Sequence, residues 1–117
     1  MKILFCGDIA LCDGVERLIL EGKSIDILKD LLPIVLDADV FVGNIECPLT
    51  NSMKPKWSYL SGMKGQREVG RFLGEIGLTI GSLANNHIAD YGKKGLEDTI
   101  SVLEEQGIKW VGAGWTP

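Results

Sequence analysis

The sequence predicts an α/β fold built on a parallel sheet in the order βαβαβαβ. Three observations carry this: four short apolar runs dense in branched and aromatic residues, helical periodicity between them, and a polar group at the exit of each of the first three runs.

The runs at residues 3–6, 40–42, 78–83 and 109–111 are the strand candidates. Their apolarity is continuous rather than alternating, which predicts burial on both faces, as in a parallel sheet covered by helices. Residues 16–20 suit one short helical turn. Residues 25–36 place Ile25, Leu28, Leu32 and Val35 at three-to-four spacing, with Ser24 or Asp26 as the cap. Residues 66–76 carry Val69, Phe72, Leu73 and Ile76 on one face before Gly77 stops the helix. Residues 95–106 repeat the pattern with Leu96, Thr99, Ile100 and Leu103, ending at Gly107. Helices between strands require crossovers, which are right-handed in parallel sheets. Residues 47–65, rich in Pro, Ser, Gly and Lys and holding Trp57 and Tyr59, form a long loop of the kind usually tied to function.

A chain of 117 residues with 45% hydrophobic and 24% charged residues suits one folded domain. The formal charge of −4 and the lack of a basic cluster argue against nucleic acid as a partner. The apolar stretches are broken well short of the ~20 residues of a membrane span. The N-terminus has no secretory-type apolar core, so the chain reads as cytoplasmic. Cys6, Cys12 and Cys47 sit at no metal-ligand spacing and read as reduced thiols, with Cys12 and Cys47 near the exits of the first two strands.

In an open α/β sheet the loops after the strands converge at one edge, where ligands bind. The first strand exits into Gly7-Asp8, the second into Gly43-Asn44-Ile45-Glu46, and the third into Ala84-Asn85-Asn86-His87, with Asp90 and Tyr91 following. Each exit has a small residue that permits a tight turn. Carboxylate and amide oxygens with one imidazole suit a divalent ion such as Mn, Mg, Fe or Zn better than a soft thiolate-bound metal. Any one of these residues is also an ordinary turn former, and a single histidine is more often structural than a ligand; the convergence is what favours a site. Gly112-Ala113-Gly114 after the fourth strand lacks the rest of a dinucleotide fingerprint.

Phe5-Cys6-Gly7-Asp8-Ile9, the Val-Gly-Asn-Ile-Glu-Cys-Pro-Leu-Thr of 42–50 and the Ser-Leu-Ala-Asn-Asn-His-Ile-Ala-Asp-Tyr-Gly of 82–92 resemble, in order and spacing, the leading motifs of the CapA-type (poly-γ-glutamate) capsule biosynthesis family. That family is similar in fold to calcineurin-like metallophosphoesterases, whose αββα sandwich holds two metals between parallel strand ends. The resemblance implies a capsule-linked metallophosphatase-type protein, with 1–117 as the front half of such a sandwich. It implies Asp8, Asn44, Glu46 and Asn86 as metal ligands, and His87 and Asn86 as the catalytic Asn-His motif, in which His87 stabilises or protonates a leaving oxygen. Asn85, Asp90 and Tyr91 are expected to bind an anionic or phosphorylated small-molecule or polymer substrate.

The chain departs from phosphoesterases at Ala10, where they carry a histidine, and at Asn44 and Glu46, which replace two aspartates. The family's later histidine motifs fall beyond residue 117, so a missing C-terminal half or a homo-oligomer is expected to cover the open sheet. Two functions therefore compete: a metal-dependent phosphoester hydrolase, and a non-catalytic binding or assembly module on the same fold. An esterase that starts with Gly-Asp-Ser is excluded, because Ile9 stands where the nucleophile belongs.

Overall fold

The computed structural model describes residues 1–56 and 62–114; Trp57, Tyr59 and Trp115 lie outside the described residues. β1 (Ile3–Ile9), β2 (Val40–Ile45), β3 (Ile80–Ser82) and β4 (Lys109–Val111) pair side by side in chain order, all parallel. Between them come α1 (Asp13–Leu20), α2 (Ser24–Leu28) and α3 (Leu32–Leu36), then a 3₁₀ turn (Arg67–Gly70) leading into α4 (Arg71–Glu75), then α5 (Gly92–Glu105). The alternation of strand and helix is the one predicted.

The register positions the site. Phe5 pairs with Val42 and Asp8 with Asn44, so Cys6 and Gly7 together face the single residue Gly43. Three residues along a regular strand reverse the side-chain direction, but this bulge restores it, and Phe5 and Asp8 share a face. A Cβ at Gly43 would lie 2.5 Å from Ile9 Cδ1 and 2.9 Å from Cys6 Sγ, so both side-chain ends would have to move aside.

The core lies on one face. Phe41 and Ile45 of β2 cluster with Ile19, Val35, Val69, Phe72, Leu73, Ile76, Ile100 and Leu103 from the helices. Each such side chain contributes about 1.5–3 kcal/mol by leaving water. The opposite face carries Ile3, Phe5 and Val111, all exposed, with Phe5 at 73%. Burial on both faces, expected from the unbroken apolar runs, is therefore corrected: among the described residues only one face is covered. Apolarity reports what a strand prefers to touch, not whether a second layer is present.

Other boundaries move for local reasons. The helix expected over 25–36 is two helices, because Pro33 at the start of α3 has no N–H to give and its ring clashes with a helical carbonyl four residues back. Ser24 lies inside α2, whose cap position is Lys23 with no side-chain cap; its hydroxyl donates instead to Glu75 at 3.2 Å. The helix over 66–76 begins as the 3₁₀ turn, yet Val69, Phe72, Leu73 and Ile76 are buried as its periodicity requires. The turn at 16–20 extends back to Asp13, α5 starts at Gly92 rather than 95, and β3 is shorter than residues 78–83.

The loop after β2 is stapled to α5. Leu49 N–H donates to the Thr99 hydroxyl at 2.9 Å, and the Thr50 hydroxyl donates to Asp98. Asp98 also meets Arg67 at 3.1 Å and Lys94 at 2.7 Å. Burial opposes ionisation of Asp98, but the bonds from Lys94 and Thr50 and the charges of Lys94 and Arg67 outweigh it and hold the carboxyl below its ordinary range.

Candidate functional site

At the carboxyl edge of the sheet, the Asn44 side chain lies between two acids. Its Nδ2 donates to Asp8 Oδ1 and to Glu46 Oε2, each at 2.7 Å. Asn44 and Glu46 point the same way because strand alternation separates them by two, and the β1 bulge brings Asp8 to that side. Asn85 braces the pair: its Nδ2 donates to Asn44 Oδ1 at 3.1 Å and to the Ile45 carbonyl at 2.7 Å.

Asn85 also shapes the turn that presents the imidazole. Its Oδ1 accepts the backbone N–H groups of His87 and Ile88 at 3.0 and 2.9 Å, an Asx-type turn. His87 then lies with Nε2 3.7 Å from Glu46 Oε1 and Nδ1 2.9 Å from Asp90 Oδ2. A continuous polar line runs Asp8, Asn44, Glu46, His87, Asp90. It is open at Asp8 and more covered beyond, with side-chain exposure of 16% at Glu46, 30% at His87 and 19% at Asp90.

Two of the sequence-selected residues stand apart from this line. Asn86 is exposed and makes no side-chain hydrogen bond among the described residues; Asn85 is the amide that interlocks the strand exits. Tyr91 lies under the long loop, its hydroxyl donating to the Gly62 carbonyl at 3.1 Å and its ring centroid 5.3 Å from Lys64 Nζ. Burial, and to a lesser degree the charge of Asp90, pushes the Tyr91 hydroxyl up. The same loop gives Asp90 a partner that no side-chain pattern signals, the Met63 backbone N–H at 3.2 Å.

The Cys12 and Cys47 thiols adjoin beside the same edge. Burial pushes Cys47 up to about 12 and raises Cys12 as well, so both remain thiols at neutral pH. Gly112 turns with φ +83° and packs on Ala84, where a Cβ would come within 2.7 Å. A cavity of 510 Å³ lies behind β1, lined by Leu4, Ile9, Leu28, Val35, Phe41 and Phe72. Its lining is aliphatic and aromatic, and it meets the polar line only at Asp8.

Chemically, the edge can hold positive charge and move a proton. The Asn44 NH₂ sits where two carboxylates both seek a positive partner, a position that also suits a hard divalent ion with oxygen ligands. Among the described residues no three His, Cys, Asp or Glu side chains stand close enough to hold a metal by themselves. An ion at this edge would accordingly rest on the two acids together with amide oxygens.

Comparison with known proteins gives a consistent picture. Residues 2–117 match the family described as bacterial capsule synthesis protein PGA_cap. The chain is 31% identical over 119 residues to the capsule biosynthesis protein CapA of Bacillus anthracis, covering 97% of this chain and 28% of that protein. It is 30% identical over 113 residues to the PGA biosynthesis protein CapA of Bacillus subtilis strain 168, covering 96% and 30% respectively. A stretch of 33 residues is 58% identical to a probable polyglutamine synthesis accessory protein of Mycobacterium tuberculosis. The chain thus spans less than a third of the length of these curated relatives.

Proposed function

The chain belongs to the bacterial capsule synthesis protein family PGA_cap, whose fold is metallophosphatase-like, and on that premise we propose that it serves capsule or poly-γ-glutamate synthesis through the polar edge of its sheet. There it would take an anionic, phosphate-bearing small molecule or polymer. The observation that carries this reading is the convergence of Asp8 and Glu46 on one atom of Asn44, with His87 3.7 Å from Glu46.

Asp8, Asn44 and Glu46, which meet at the sheet edge, are the residues that would hold a divalent ion, with Asn86 of the loop after β3 as the further ligand that the family resemblance implies. When bound, such an ion supplies Lewis acidity and neutralises phosphoryl charge. The chain's own groups supply the rest. His87 directs Nε2 towards the strand ends, where the imidazole, once it carries a second proton on Nε2, can give that proton to a leaving oxygen and return to the neutral ring. Asn85 fixes the turn that aims it. Asn85, Asp90 and Tyr91, from the loop after β3, would contact the substrate.

A second reading, a binding or assembly module without turnover, is favoured by the Ala10 and Asn44 departures from phosphoesterases. Metal analysis with a generic phosphodiester assay, on the native chain and on Asp8→Ala and His87→Ala, separates the two. Turnover lost in both variants supports the hydrolase. Metal retained through Asp8 with no turnover supports the module, and no Asp8-dependent metal at all overturns the site. We also propose that the open sheet face bearing Phe5 is an association surface, which in an isolated chain gives a homo-oligomer.

A further inference from the structure

Asp90 faces two ways. Its Oδ2 accepts His87 Nδ1 at 2.9 Å and the Met63 backbone N–H at 3.2 Å, while its own carbonyl accepts Lys56 N–H at 2.7 Å. Its backbone N–H returns to the His87 carbonyl at 2.9 Å, closing a tight turn between them. One residue thereby ties the imidazole to both described arms of the loop at 47–65.

The chemistry of the partners dictates the proton. A carboxylate oxygen that already takes the Met63 N–H acts as an acceptor, so the hydrogen between it and the imidazole must be on Nδ1. In the neutral ring Nε2 is then the bare nitrogen, turned towards Glu46. At 3.7 Å that approach is too long for a hydrogen bond. A histidine free of such a partner in water prefers the opposite tautomer, with the hydrogen on Nε2.

We propose that Asp90 is a positioning residue which fixes His87 as the Nδ1–H tautomer, with Nε2 presented to the strand ends, and which locks that state to the seating of the loop at Lys56 and Met63. This rests on the reading of His87 as the working imidazole, but it concerns the ring's tautomer and so can be tested without any turnover. It also assigns Asp90 a role through His87 besides contact with substrate.

The test is ¹⁵N NMR of the imidazole at about pH 9, where an ordinary histidine is neutral; the chain has one histidine, so one pattern reports it. The native chain is expected to show a protonated Nδ1 and a bare Nε2. Asp90→Ala should shift the pattern towards Nε2–H, whereas Asp90→Asn, which keeps one acceptor oxygen, should retain most of the native pattern. Tyr91→Phe, which removes only the hydroxyl bond to Gly62, should leave the tautomer unchanged. A native spectrum already dominated by Nε2–H overturns the proposal, even if Asp90→Ala fails to fold. So does an Asp90→Ala spectrum identical to native, or a Tyr91→Phe change as large as that of Asp90→Ala. Activity lost in His87→Ala with the tautomer as expected upholds both readings; the expected tautomer with no activity in any form upholds this one alone.

Discussion

Asp8 and Asn44 meet at 2.7 Å because β1 carries one residue more than β2 across the pair that joins them. The bulge turns an acid that would otherwise enter the covered face towards the polar edge. Proximity at this site is therefore a matter of register, and the Asn44 amide does there what a cation's charge would do.

Asn44→Asp should expose that relationship. The substitution removes an N–H₂ that satisfies two carboxylates and sets a third acid beside them. Without metal it is expected to cost about 1–3 kcal/mol. Manganese should recover much of this, raising the variant's melting temperature by about 4 °C or more and exceeding the rise in the native chain. Equal melting curves with and without manganese in the variant would show that Asp8 and Glu46 do not share a cation position.

Phe5 is 73% exposed on a row shared with Val42 and Ile80. Phe5→Ser removes apolar surface without opening a core cavity, so its effect on folding should stay within about 0.5 kcal/mol. Sedimentation at micromolar concentration should show the native chain larger than monomer and the variant shifted towards monomer. A native chain that sediments only as monomer contradicts the association surface.

The amphipathic faces were readable because a 3.6-residue period records which side is buried, and Val69, Phe72, Leu73 and Ile76 follow it even through a change of helix type. Pro33 was equally visible, but Ile25, Leu28, Leu32 and Val35 keep helical spacing across it, so periodicity alone ran through the break. Asp8, Asn44, Glu46 and His87 were found as polar groups at strand exits. The bulge that brings Asp8 to them was not, since pairing register arises between strands. The Met63 contact with Asp90 left no trace because a backbone N–H is common to almost every residue. Asn85 was distinguished from Asn86 only by geometry.

Asp98 predicts the acid limit of stability. Its folded carboxyl is held below the ordinary range, so the unfolded chain takes up the proton first as pH falls. The contribution is complete above about pH 5 and is lost as pH drops through about 4 towards the folded value. Asp98→Asn leaves Arg67 and Lys94 without their shared acid and should cost about 2–3 kcal/mol at pH 7. Urea midpoints at pH 7, 5 and 3 should show the gap between variant and native narrowing at the lowest pH. A gap constant across that range would remove Asp98 from the acid transition.

Gly65 closes the long loop against the segment that follows β1, and a Cβ there would lie 2.1 Å from the Leu11 carbonyl oxygen. Backbone cannot rotate aside as a side-chain tip can, so Gly65→Ala must shift the strand of chain that bridges Leu49 and carries the Thr50 N–H bond at 2.8 Å. It should destabilise by about 2–3 kcal/mol. Gly14 in α1 is the matched control, because a Cβ there meets nothing within 4 Å. Gly14→Ala is expected to stabilise by about 0.5 kcal/mol through helix propensity and a less flexible unfolded chain. Chemical denaturation of both variants checks the pair. Since the same loop seats Met63 against Asp90, Gly65→Ala should also disturb the His87 imidazole signal, and Gly14→Ala should leave it in place. A destabilised Gly65→Ala with an unaltered imidazole would uncouple the loop from the site.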